Sequence, residues 1–296
     1  PHPRPVQQGL RYPMLIIIGA VVVTFSVLVG YVLHGGNLPV LWQPTELLVI
    51  FGAAFGAFLM GNSFHTVKAT FAAWPRLIMG TPFNKAFNMD LLSLMYDVFD
   101  KSRKQGIMAI EADVDDPEES QIFTRYPAIM KMEELLHFIT DYLRIMSTGN
   151  MAAHELEGLM DQEIEKREEE LKEPAHAVGS VADALPGLGI VAAILGIIIT
   201  MGYLGGETSQ IGSLIGAALA GTLTGIWAAY GYVGPISKTM ERQVDEEMKC
   251  YECVKNSLLA TVSGQAPQMA IEFGRKVLPT ESRPSFQELD DHVRSR

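Results

Sequence analysis

Two apolar runs in this chain carry residues whose chemistry an apolar setting makes expensive. Ala182 to Leu204 reads ADALPGLGIVAAILGIIITMGYL, with Asp183 and Pro186 at its mouth and Thr200 further in. Ile211 to Val233 contains Thr222, Thr224 and Tyr230, and Pro235 follows it. Hydroxyl and carboxyl oxygens at such places can hold a cation or pass a proton. A proline a turn inside a helix leaves a backbone carbonyl unpaired, which makes a bend or a polar spot. Each residue also has a plainer reading. Asp183 lies near a span end that solvent reaches, and Thr222 could bond back to its own helix. Tyr230 suits an interfacial aromatic belt, and Pro235 suits a helix stop. A third constellation, Cys250-x-x-Cys253, has no second pair to complete a metal site, so two incidental helix cysteines are expected. His137 and His154 stand apart and read as helix-surface residues, and no nucleophile–base or metal-ligand set points to an enzyme.

The elements that must position these groups are membrane helices. The composition is 48% hydrophobic, and the apolar residues are concentrated rather than spread. Met14 to Val32 is a first span, longer than the core of a signal peptide and without a cleavage site after it, hence a retained signal-anchor. Leu47 to Met60 is shorter and becomes a second span as its hairpin partner, with Glu46 and Asn62 expected at the two interfaces. Leu185 to Leu204 and Ile211 to Val233 are the third and fourth. On this reading no acid lies deep in any span, so a proton path would need its titrating group from elsewhere. Lys and Arg are absent from the loops 33–44 and 203–210, whereas 61–180 holds twelve and the tail from Ile236 holds nine. The positive-inside rule therefore puts both termini and the long middle segment in the cytoplasm.

The expected fold is all-α, a polytopic membrane protein with four transmembrane helices and a helical cytoplasmic domain. Residues 1–13 read as a leader or tag remnant, 14–61 as a first hairpin and 62–180 as a cytoplasmic helical domain. Residues 181–235 form the second hairpin and 236–296 a cytoplasmic helical tail. Within the cytoplasmic parts, Met89 to Lys104 ends at Gly106, Tyr126 to Met146 is a second amphipathic helix, and Ala152 to Glu173 is stopped by Pro174. Val244 to Val262 continues from span four. The acidic face of Glu155 to Glu173 reads as a solvated surface. The net charge of −11 argues against nucleic acid as a partner. Gly52/Gly56, Gly212/Gly216 and Gly221/Gly225 are three G-x-x-x-G pairs, which favours a homo-oligomer in lipid.

Several strings, in this order, resemble the MotA family of flagellar stator subunits: YVLHGG, QPTELLVIFGAAFGAF, MDLLSLMYDVFDKSRKQG, YPAIMK, DYLRIMSTGNM, ADALPGLGIVAAILG, APQMAIEFGRKVLP and ESRPSFQELDDHVR. The resemblance covers nearly the whole chain from about Gly30. It implies an inner-membrane motor subunit, five copies around two copies of a single-span MotB-like partner that supplies the essential aspartate. Ion flow then turns the ring against the rotor protein FliG, with no cofactor. It implies rotor contact for Arg103 and Glu111, coupling roles for Pro186 and Pro235, and a place on the ion route for Thr222. Sodium-driven relatives look to carry a hydroxyl where this chain has Ala193. Alanine offers no ligand oxygen, so H⁺ is the expected ion and Na⁺ the second choice. An ExbB/TolQ-like energising subunit is the alternative within transport, disfavoured by four spans and the QPTELL string. A non-conducting scaffold is the alternative outside it.

Overall fold

The computed structural model describes residues 11–149 and 151–295, which leaves most of the expected leader outside the described residues. Those residues form helices and tight turns with no strand among them. They fall into two compact units. Among the described residues, one takes 11–80 together with Leu171–Arg242, and the other takes Thr81–Glu170 together with the residues from Gln243 onward.

Four helical stretches among the described residues, two lying within the first unit and two continuing out of it, are long and apolar enough to cross a membrane. Helix α1 (Arg11–Leu33) has 23 residues, hence a length of about 35 Å at the α-helical rise. Helix α2 (Pro44–Gly61) starts with proline at its first position, where the missing N–H costs nothing. A 3-10 turn at Leu38–Leu41 precedes it, so the apolar stretch runs Leu38–Gly61 and is longer than its fourteen-residue core. Helix α3 (Phe64–Met79) is capped by Ser63, whose hydroxyl accepts from the Thr66 amide at 3.1 Å. The Thr66 hydroxyl in turn donates to Glu173 at 2.8 Å.

Helix α8 (Ala153–Met201) is one 49-residue helix with Pro174 and Pro186 inside it. The expected stop at Pro174 is therefore wrong. An internal proline costs about 3 kcal/mol through one lost hydrogen bond and a clash. Tertiary packing offsets it here. Ala175 and Val178 are buried against Leu77 and Met240, and the Ser237 hydroxyl donates to the Ala175 carbonyl at 2.8 Å. Helix α9 (Thr208–Ala228) likewise continues, through a π-helical turn at Ala229–Val233, into α10 (Gly234–Val262). Pro235 does not close span four as expected. It sits in the first turn of α10, where the wider π turn hands the Gly234 amide to the Ala229 carbonyl.

The second unit is a cytoplasm-type core of large side chains. Helix α4 (Lys85–Gln105) ends at Gly106, whose φ of +91° suits glycine alone among common residues. Helix α5 (Glu111–Asp115) is a single short turn. The segment expected as one helix from Tyr126 to Met146 is two, α6 (Pro127–Met130) and α7 (Glu133–Thr148). The break has a cause: Met132 leaves helical geometry, and Glu133 and Glu134 then place acids at a new helix N-terminus. Helices α11 (Pro267–Val277) and α12 (Phe286–Arg294) complete the unit, with α11 packed on α4. Phe138 lies between Tyr142 and Tyr251, with ring centroids 4.7 and 5.0 Å away. Arg167 stacks on the Tyr251 ring and faces the buried Glu247 at 3.6 Å. Cys250 and Cys253 are fully buried on α10, and burial pushes both thiols well above their ordinary range. They are packing residues.

Candidate functional site

In the membrane-type unit, α8 and α9 meet along a seam made of missing side chains. A Cβ placed on Gly225 would lie 2.6 Å from the Leu185 carbonyl oxygen and 2.9 Å from Gly189 Cα. One on Gly189 would stand 3.1 Å from the Gly221 carbonyl oxygen and 3.3 Å from Thr222 Cα, and one on Gly196 would meet Ala218 Cβ at 2.8 Å. Such backbone contact is available only to glycine, and it is how helices associate where lipid removes the hydrophobic drive. Of the three G-x-x-x-G pairs, only Gly221/Gly225 is used in this way. Gly52 and Gly56 have no neighbouring group closer than 3.9 Å to a built Cβ.

The seam gathers several of the expected residues. Pro186 lies three residues before Gly189 and Ala193 four after, so helical geometry puts all three on one face of α8. Ala193 is 8% exposed. Thr222 lies on the facing stretch of α9. Its hydroxyl has no hydrogen-bond partner among the described residues, whereas Thr200 and Thr224 each bond back to a carbonyl four residues earlier at 2.8 Å. The back-bonding expected as the plain reading of Thr222 is thus met by its neighbours and not by Thr222 itself. Asp183 and Tyr230 are exposed, the latter at 71%, and the structure does not bring them onto the seam. Pro235 is exposed just past the π turn. There Tyr232 shares a 2.6 Å hydrogen bond with Thr24 of α1.

One residue was misplaced by sequence reasoning. Glu46 was expected at an interface and the spans were expected to hold no deep acid. Instead its Oε2 lies 3.1 Å from the place a Gly221 Cβ would occupy, and that same Cβ would be 3.4 Å from Ala192 Cβ. Gly221 is thirteen residues into α9, about 20 Å along it. The cause is the 3-10 turn before α2: Val40 packs within 3.7 Å of a Cβ on Gly216, so the connection dips down the flank of α9. A carboxyl in the first turn of a proline-started helix, beside a glycine-rich span, was the available signal.

In the other unit, Arg103 in the last turn of α4 and Glu111 at the start of α5 are both exposed. Neither has an ion-pair partner among the described residues. Their neighbours are all engaged. Lys104 pairs with Asp100 at 2.7 Å, and Lys101 with Asp113, which also accepts from Ser120 at 2.7 Å. This network, absent from the sequence reading, staples the end of α4 to α5. Beside it opens a polar hollow of about 520 Å³ lined by Asp97, Asp100, Lys101, Lys104, Asp113 and Arg125.

Two family models match the chain, "Motility protein A N-terminal" over residues 17–106 and "MotA/TolQ/ExbB proton channel family" over 131–253. Motility protein A of Salmonella typhimurium is 44% identical over 95% of this chain and 96% of its own length. The chain belongs to the motility protein A family. Chemotaxis protein LafT of Vibrio parahaemolyticus is 38% identical over 92% of the chain and 96% of its own. The solved MotAB of C. jejuni shares the fold, with a TM-score of 0.74 at 20% identity, over 92% of this chain and 98% of that one. The flagellar MotAB stator complex of Bacillus subtilis gives 0.68 at 22% identity, over 86% and 92%. The motility protein A model covers the first hairpin with its QPTELL string, one of the two features expected to count against an ExbB/TolQ-like subunit, and that alternative is not favoured. Family membership also makes the chain a channel-family subunit and not an enzyme.

Proposed function

We propose that this chain is the membrane-embedded stator subunit of a flagellar motor, which with a single-span MotB-like partner conducts protons across the inner membrane and turns that flow into torque. The observation that carries the reading is α8 itself. One unbroken helix holds Pro186 and Ala193 on the glycine seam and also supplies residues 153–170 to the cytoplasm-type unit. A change of bend at Pro186 as an ion passes is therefore carried by continuous helix, without any loop to absorb it. Thr222, with its free hydroxyl, lines the route on the facing helix. Protons are the transported ion because Ala193 offers no oxygen to replace a sodium ion's hydration shell.

Further parts of this reading rest on charge and exposure. The Lys/Arg distribution supports both termini and the 62–180 segment on the cytoplasmic side. The outward faces of α1 and α2, with Gly52 and Gly56 open, suit contact with lipid and with further copies of the chain, five around two partner spans. Arg103 and Glu111, exposed and unpaired, are the charges offered to the rotor protein FliG. Steered contacts of this kind form and break repeatedly. Asp183 and Pro235 mark the cytoplasmic mouth, where Tyr230 adds an aromatic edge. Pro186→Ala tests the coupling role: the variant reaches the membrane at normal levels but its cells do not swim, and normal swimming would sink the role. Swimming speed with and without sodium at fixed pH tests the ion; strict sodium dependence would refute the proton assignment.

A further inference from the structure

We propose that Glu46 is a proton-carrying group of the path, a site in this chain that accepts the transported proton on its way to the acid of the partner span. The proposal rests on the stator reading above. Four observations carry it. Glu46 is the sole Asp, Glu, Lys, Arg or His within 14–33, 44–61, 187–201 and 208–233. Its carboxyl sits at mid-length of α9, against the Gly221/Ala192 contact that builds the seam. It has no hydrogen bond or ion pair among the described residues. Gly221 is also the sequence neighbour of Thr222, so the carboxyl, held by α2, lies against the turn of α9 that carries the free hydroxyl.

The physical consequence follows from cost. An ionisable group at depth is expensive and is retained where it lies on an ion or proton pathway. No Lys, Arg or His of α8 or α9 faces Glu46 to neutralise it, since 187–201 and 208–233 contain none and α1 from residue 14 contains none either; the titratable side chains in these ranges are the neutral phenols Tyr31, Tyr230 and Tyr232. Its charge is therefore balanced by a proton or by a group outside this chain. The step is a plain transfer: the carboxylate takes a proton from a hydronium ion and releases water. The resulting acid then gives that proton to a carboxylate of the partner span and returns to its anionic form. Gly221 makes the position possible, because any side chain there would push the carboxyl away.

The test uses the complete complex with its partner, reconstituted in vesicles and driven by an imposed pH gradient, with a pH-sensitive dye reporting flux. If the unchanged complex passes no protons, the stator reading itself fails. With flux established, Glu46→Gln keeps the shape and a hydrogen-bond donor but cannot titrate, and the expected loss is about tenfold to a hundredfold, the lower end of what a positioned acid–base group contributes. Glu46→Asp retains flux with a moved pH midpoint. Flux through Glu46→Gln equal to the unchanged complex at every pH overturns the proposal, and so does equal loss in both variants. If Glu46→Gln does not copurify with the partner, Gly221→Ala decides: it keeps the acid and crowds its Oε2, so the pH midpoint of flux moves. An unmoved midpoint in that variant overturns the proposal.

Discussion

The two units of this chain solve the packing problem by opposite means. The cytoplasm-type unit fills its interior with large side chains, Phe99, Phe123, Tyr126, Phe138, Tyr142 and Tyr251 all being nearly or fully buried. The membrane-type unit does the reverse. Its best-packed contact is made where side chains are missing, at Gly189, Gly196, Gly221 and Gly225. Water explains the difference. In water, burying a large apolar side chain gains about 25 cal/mol per Å². In lipid that gain is absent, and close backbone approach with its dispersion contacts takes over. Charge follows the same division. Ion pairs such as Lys255–Asp161 at 2.6 Å and Arg167–Glu134 at 3.0 Å tie helices together in the cytoplasm-type unit. In the membrane-crossing segments one acid stands alone.

The contrast can be broken most forcefully at the seam. Gly225→Leu places a branched side chain where even a Cβ lies 2.6 Å from backbone, so the variant is expected to lose the folded membrane unit and all swimming. Membrane level by immunoblot and swimming in soft agar check it; normal motility would show that the seam is not a rigid contact. The matching change in the other unit is Phe138→Ala, with an expected cost of about 3–5 kcal/mol from lost transfer and cavity terms. Thermal unfolding of the detergent-solubilised protein would measure it. Swapping the two solutions thus damages both units, for opposite reasons.

Smaller effects sharpen the contrast. Glu111→Lys alters an exposed, unpaired charge, so stability stays within about 0.5 kcal/mol while motility falls. A compensating reversal on the rotor side restores motility, and no effect from the single change would remove Glu111 from the contact surface. The smallest effect belongs to α12. Glu288 accepts from Lys85 at 2.7 Å and from the Ser285 amide at 2.7 Å, which lowers its carboxyl from 4.5 to about 2. A carboxylate lowered in the folded state adds stability that is fully present above its ordinary value and is lost as pH falls through the folded value. Both partners are about half exposed, so Lys85→Met is expected to cost less than about 1 kcal/mol at neutral pH, and that cost fades to nothing as the pH falls below about 2. Melting curves across that range would check it.

Much of the fold was legible in the residues alone, and the failures share a cause. Uninterrupted apolar runs announce spans because bilayer thickness demands a minimum length. Gly106 announces the end of α4 because its backbone conformation excludes other residues. Proline misled at Pro174 and Pro235, since its local cost is real but smaller than what Ala175, Val178 and Ser237 return by packing across the break. The same limit applies to Met132, where the chain restarts a helix that periodicity had run together.

For the candidate site, residue types and spacing determined that Pro186, Ala193 and Thr222 stand in spans, that Arg103 and Glu111 stand outside them, and which family's pattern they match. These follow from hydropathy and order, which are properties of the string. Only the tertiary structure decided which G-x-x-x-G is used, that Thr222 keeps its hydroxyl free, and that Glu46 reaches the middle of the seam. Each depends on how one helix lies against another, and a helix read singly carries no information on the depth at which its neighbour's first turn arrives.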